Sequence, residues 1–113
     1  MRPGLWRGAF WAAATFALVM ALLPHPVRLP GDPSDKVQHI IAFLTLGALG
    51  RMAYPKASGW ALLAGLSLFG AAIELLQAIP VLNRDSDIID WLADTLAAGV
   101  AIFALSRIRR ARG

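Results

Sequence analysis

The feature that most constrains this chain is a series of four apolar segments, each close to the ~20 residues a helix needs to cross a hydrocarbon layer ~30 Å thick. They fall at Trp6–Leu23, Asp35–Tyr54, Trp60–Ile79 and Asp87–Ser106. Inside lipid no water is at hand for backbone N–H and C=O groups, so segments of this length must close their hydrogen bonds internally as helices. Composition agrees, with 58% of residues hydrophobic and only 16% charged, outside the range of an ordinary soluble domain. The expected fold is all-α: one integral membrane domain, residues 1–113, folded as an antiparallel bundle of four transmembrane helices.

The breaks between segments are equally readable. Pro24, Pro26, Pro30 and Pro33 crowd the stretch PHPVRLPGDPS, where missing backbone donors and fixed φ favour a loop. Pro55 with Gly59, and Pro80 with Asn83, mark the other two connections, each short enough to make neighbouring helices antiparallel. Arg2 and Arg7 before an apolar core resemble the start of a signal peptide, but no small-x-small cleavage pattern precedes Pro24, so helix 1 is expected to be retained.

Eleven Lys and Arg stand against seven Asp and Glu, for a net charge of +4. The basic residues gather at segment ends rather than among aromatics on one face, which argues against nucleic acid as a partner. Arg2, Arg7, Arg51, Lys56, Arg107, Arg109, Arg110 and Arg112 would share one side of a membrane; only Arg28, Lys36 and Arg84 would share the other. By the positive-inside rule both termini are expected in the cytoplasm. Asp32, Asp35, Glu74, Asp85, Asp87, Asp90 and Asp94 all fall toward the opposite, outer side. The RIRRAR tail is then an orientation signal and a contact for anionic lipid head groups, at roughly 1 kcal/mol per basic residue. Arg51, about one turn from its helix end, is expected to snorkel to the cytoplasmic interface. Trp6, Trp11, Tyr54 and Trp60 are expected in an inner aromatic belt and Trp91 in an outer one. Ala13, Ala17 and Ala21, Ala61 with Gly65, and Gly99 are expected to let helices approach closely.

Three helices carry one-sided polar strips. Asp35 and His39 lie four apart in DKVQH; Gly70, Glu74 and Gln77 follow i, i+4, i+7 spacing; Asp87, Asp90 and Asp94 are again three and four apart. At ~1.5 Å rise per residue, His39 lies ~6 Å in from the outer end of its helix, Glu74 ~9 Å and Asp94 ~10 Å. Groups at one depth, costly to expose to hydrocarbon, should converge on an outward-opening polar pocket, where they can pair with Lys36 or Arg84 or hold a cation. Each also has an ordinary role. Asp35, Asp85 and Asp87 suit helix capping, Arg84 suits a solvated loop, and His39 suits a hydrogen-bonded core. With no cysteine there is no disulfide, thiolate ligand or catalytic thiol.

The blocks DKVQHIIAFLTLGALG (35–50), IELLQAIP (73–80) and NRDSDIIDWLADTLAAG (83–99) together resemble the VanZ-like family of small bacterial membrane proteins. The shared features are a DK-x-x-H opening followed by an aromatic, E-L-L-Q before a proline-containing loop, and an Arg ahead of D-x-x-x-N or D-x-x-x-D on the last helix. Three details depart from the pattern: Asp94 replaces a frequent Asn, Ala98 a frequent Gly, and LNR the usual P-G-R turn. The resemblance implies the bacterial cell membrane as location and Asp35, Lys36, His39, Glu74, Gln77, Arg84, Asp90 and Asp94 as the polar motif positions. The family takes its name from a protein associated with teicoplanin resistance, and most members have no assigned activity.

Three functions fit. The leading one is an envelope protein, without necessary catalysis, whose pocket binds a polar lipid head group or lipid-linked envelope precursor through Lys36 and Arg84, the acids orienting them or binding an amine or cation. A second is a metal-assisted hydrolase or transferase on a lipid-linked phosphate, using Asp90, Asp94, Glu74 and His39. No HExxH, phosphate loop or nucleophile elbow supports it, and no particular cofactor or metal is indicated. The third, cation or proton transport, would need an oligomer.

Overall fold

The computed structural model describes residues 3–23, 33–80 and 88–112; for residues 3, 33–36 and 109–112 it describes the backbone alone. Four helices account for nearly all of it: α1 Pro3–Leu22, α2 Pro33–Ala53, α3 Gly59–Gln77 and α4 Ile88–Arg112. The all-α bundle expected from hydropathy is therefore the observed architecture. Three stretches, Gly4–Leu22, Gly59–Gln77 and Ile88–Ile108, are long and apolar enough to cross a membrane. The fourth apolar stretch, Val37–Ala53 within α2, is shorter.

Helix ends follow local chemistry more closely than hydropathy. α1 and α2 both begin on a proline, Pro3 and Pro33, whose missing N–H is harmless at a first helical position. Asp35 is consequently the third residue of its helix and not the cap expected for it. Ser58 caps α3, its hydroxyl accepting from the Ala61 N–H at 3.0 Å. α4 runs six residues past the expected Ser106, to Arg112; arginine and alanine are good helix formers, and cations favour a helix C-terminus. The proposed caps Asp85 and Asp87, like Asp32 and Arg84, lie outside the described residues.

Contacts at the two ends fix the topology. Arg7 near the start of α1 donates to the Ala53 carbonyl at the end of α2; Trp60 at the start of α3 stacks on Phe103 near the end of α4. Sequence neighbours are thus antiparallel. α2 and α4 run in the same direction, with His39 beside Asp94 at one end and Arg51 beside Ser106 at the other. This parallel pair makes the most extensive contact in the bundle; α1 packs on α2, and α3 on α4.

Gly47 makes that pairing possible. A Cβ there would sit 2.7 Å from the Ala98 carbonyl oxygen and 3.0 Å from the Ala101 Cβ, so only glycine admits the two backbones this close. Gly65, expected to serve close packing, instead faces open space with nothing within 4 Å. Gly99 is in ordinary contact with Leu63. Of the alanines, Ala14, Ala21, Ala97 and Ala98 join Phe43, Leu46, Ile73 and Ile102 in the core, with Ala13 and Ala17 packed against it, while Ala61 is exposed.

The surface is inverted relative to a water-soluble bundle. Phe16, Leu68, Leu75, Leu96 and Val100 are 65–76% exposed, whereas Arg51, Glu74, Gln77, Asp90 and Asp94 are all buried. Exposed apolar side chains in this number are a liability in water but the ordinary face of a helix toward lipid tails. With three spanning-length helices, the chain has the character of a membrane protein.

Arg51 departs from expectation. It does not snorkel; it is buried at 5% exposure and donates to the carbonyls of Tyr54, Pro55 and Ala57 and to Ser106 Oγ. The α2–α3 connection contains a proline and leaves carbonyls without helical donors, which is costly near a membrane interior; one planar guanidinium serves three of them. Arg7 stacks over Tyr54, 4.8 Å from the ring centroid, and the Tyr54 hydroxyl accepts from Trp11 Nε1 at 2.9 Å. Trp91 also turns inward, its indole N–H donating to the Ser67 carbonyl at 2.9 Å. The outer belt expected for it yields to the need of a buried N–H for a partner.

Candidate functional site

At the end of the bundle opposite Arg51, α2, α3 and α4 bring one polar strip each to a common point. His39 is in the second turn of α2, Glu74 in the last turn of α3, and Asp94 in the second turn of α4. One ligand-capable atom from each lies within 4.8 Å of the other two. His39 Nδ1 stands 3.6 Å from Asp94 Oδ2, with the side chains 12% and 1% exposed. The similar depths that helical rise gives these residues go with a convergence of their side chains.

The other sequence-selected residues frame this centre. Gln77 lies three residues beyond Glu74, hence on the same face of α3. It is 2% exposed, and its Nε2 donates to the Ala21 carbonyl at 3.0 Å, tying the end of α3 to that of α1. Its Oε1 is buried with no hydrogen-bond partner among the described residues. Asp90 is buried in the first turn of α4, one turn from Asp94 on the same face. Asp35 and Lys36 are placed by backbone in the first turn of α2, one turn from His39; their side chains, and all of Arg84, lie outside the described residues.

The floor beneath the polar centre is apolar. Phe43 and Ile73 are both 2% exposed. Gly70, the small residue below Glu74, leaves room for Phe43 and Trp91, whose rings would stand 3.4–3.5 Å from any Cβ at that position. One layer deeper, Ser67 Oγ and Thr95 Oγ1 are 3.0 Å apart, linking α3 to α4.

Sequence reasoning missed the space beside the site. A groove of about 470 Å³ runs between α1 and α2, walled by Ala13, Ala17 and Ala21 on one side and Ala42 and Leu46 on the other, and reaches His39 and Gln38 at its polar end. The signal was present in the alanines spaced four apart on α1, but they read equally well as helix-packing residues. Small side chains on facing helices can either close an interface or leave a channel, and only the interhelical distance decides.

The arrangement can bind a cationic group between two carboxylates and an imidazole while an adjoining groove takes an apolar chain. The chain matches no known family model, no curated protein and no solved structure.

Proposed function

We propose that this protein is a VanZ-like membrane protein that binds an amphiphile, with the polar head of a lipid or lipid-linked envelope precursor at the His39–Glu74–Asp94 centre and an acyl or prenyl chain in the groove between α1 and α2. The observation that carries this reading is the groove itself: an apolar channel with its polar end at His39. Gln38 and His39 at one end, with walls that are apolar apart from Thr45, suit a ligand polar at one end and apolar along its length. In this reading Lys36, three residues before His39 in sequence, and Arg84, ahead of Asp90, would meet a phosphate or carboxylate, which two acids alone would repel. In this reading the acidic end faces the outer side of the bacterial cell membrane, and the basic end with both termini faces the cytoplasm. The C-terminal arginines then lie against anionic head groups.

The test is native mass spectrometry of the gently solubilised protein beside Ala17→Leu, which fills the groove, and Arg84→Ala, which removes a head-group contact. The wild type is expected to retain one lipid class, Ala17→Leu to lose it, and Arg84→Ala to retain it with altered head-group preference. Indiscriminate lipid retention, identical in all three folded proteins, would sink the reading.

A further inference from the structure

His39, Glu74 and Asp94 come from three different helices, yet their ligand atoms share one small volume. The 3.6 Å separation of His39 Nδ1 and Asp94 Oδ2 is beyond good hydrogen-bond geometry. Two donors each ~2.1 Å from a common ion at a tetrahedral angle would stand about 3.4 Å apart. The largest separation within the trio, 4.8 Å at most, is within what torsion of the long Glu74 side chain can close.

From this geometry we propose that His39, Glu74 and Asp94 form a binding site for a divalent transition-metal ion of the Zn²⁺ or Mn²⁺ type. One imidazole nitrogen with two carboxylate oxygens suits that class; Ca²⁺ prefers six or more oxygens, and Mg²⁺ keeps most of its water. A dication matches the charge of two carboxylates in a low-dielectric setting, where compensation is worth most. With three protein donors, a coordination position stays open for an oxygen from outside. Independently of the trio, the buried Gln77 Oε1 offers an oxygen acceptor without a partner among the described residues, one turn from Glu74. The His39 end of the groove gives the ion a way in and gives an oxygen anion a way to reach it. The inference rests on the pocket assigned above and names what a phosphate head group would bind there; it does not depend on the lipid.

The experiment uses the full chain in detergent, delipidated and stripped with a chelator, then titrated separately with Zn²⁺, Mn²⁺, Mg²⁺ and Ca²⁺. Native mass spectrometry reads stoichiometry, and thermal unfolding reads stabilisation. One Zn²⁺ or Mn²⁺ per chain is expected, with a raised melting temperature and weak or no response to Mg²⁺ and Ca²⁺. Altering an outer partner of a metal ligand commonly costs 10–100-fold in affinity, so loss of a ligand itself in Glu74→Gln or Asp94→Asn should cost about 100-fold or more. Both replacements are near-isosteric, and a melting curve without metal shows that each variant is folded. His25→Gln, which alters the only other histidine, should bind as the wild type does. Absence of stoichiometric binding to the wild type overturns the proposal, as does undiminished binding by folded Glu74→Gln and Asp94→Asn. Lipid retention is scored in parallel on protein that has kept its lipid, both with and without chelator. Lipid selected without metal binding sinks the metal site alone, and metal bound without lipid selection sinks the amphiphile reading alone.

Discussion

At the basic end of the bundle a buried guanidinium directs its hydrogen bonds to three backbone carbonyls and a hydroxyl; at the acidic end two buried carboxylates and an imidazole converge on one another from three helices. The first arrangement is closed. Arg51 supplies donors where a proline-containing turn leaves acceptors, so its charge is held by the fold. The second brings together groups that, with the carboxylates ionised and the imidazole neutral, are all acceptors apart from one imidazole N–H. Such a set is compensated by protons, a cation or basic side chains. A charge that completes the backbone's hydrogen bonding serves structure, whereas carboxylates gathered around an imidazole that a groove reaches are suited to a ligand.

The sharpest way to break this comparison is Arg51→Met, which removes the guanidinium donors from several partly buried oxygens at once. We expect a loss of about 3 kcal/mol, read from unfolding in detergent micelles. A loss no larger than a surface substitution gives would place Arg51 outside the protein interior and remove the contrast.

Next is Gly47→Val, which drives a side chain into the α4 backbone at Ala98. About 2 kcal/mol should be lost, and widening the α2–α4 pair should also part His39 from Asp94 and weaken metal or lipid retention. Gly65→Val is the control. It points into open space and should change stability by no more than about 0.5 kcal/mol; equal effects at the two glycines would refute the assigned helix rotation.

Gln77→Leu removes the bond to Ala21 O while keeping volume, and about 1 kcal/mol should go with it. This probes whether the polar face of α3 has a structural member beside its ligand-facing ones.

The smallest effect is expected at the acidic end itself. Glu74→Gln, in protein free of lipid and metal, should leave the melting temperature unchanged or slightly raised, since it relieves carboxylate repulsion. A loss comparable to that of Arg51→Met would make the acidic end as structural as the basic one.

Much of this was legible in the chain. Glu74, Asp94 and His39 stood out because a titratable residue inside an apolar segment has few structural excuses, and helical periodicity alone put each on a face with other polar groups. Arg51 was visible but misjudged: nothing in the local sequence distinguishes an arginine that reaches outward to head groups from one that folds back over a turn. Trp91 was misjudged for the same reason, since its partner, the Ser67 carbonyl, lies on another helix.

The sequence by itself determined that four helices form, roughly where each begins and ends, and which residues share a face. Those are consequences of hydropathy, proline placement and a 3.6-residue period, acting within one segment at a time. Only the tertiary structure decided that α2 and α4 lie against each other in parallel, that Gly47 admits their close approach while Gly65 on α3 faces open space, that α1 and α2 stand far enough apart to leave a groove, and that the three polar strips meet. These depend on the rotation and spacing of whole helices. Many small contacts between segments set both, and no single segment encodes either.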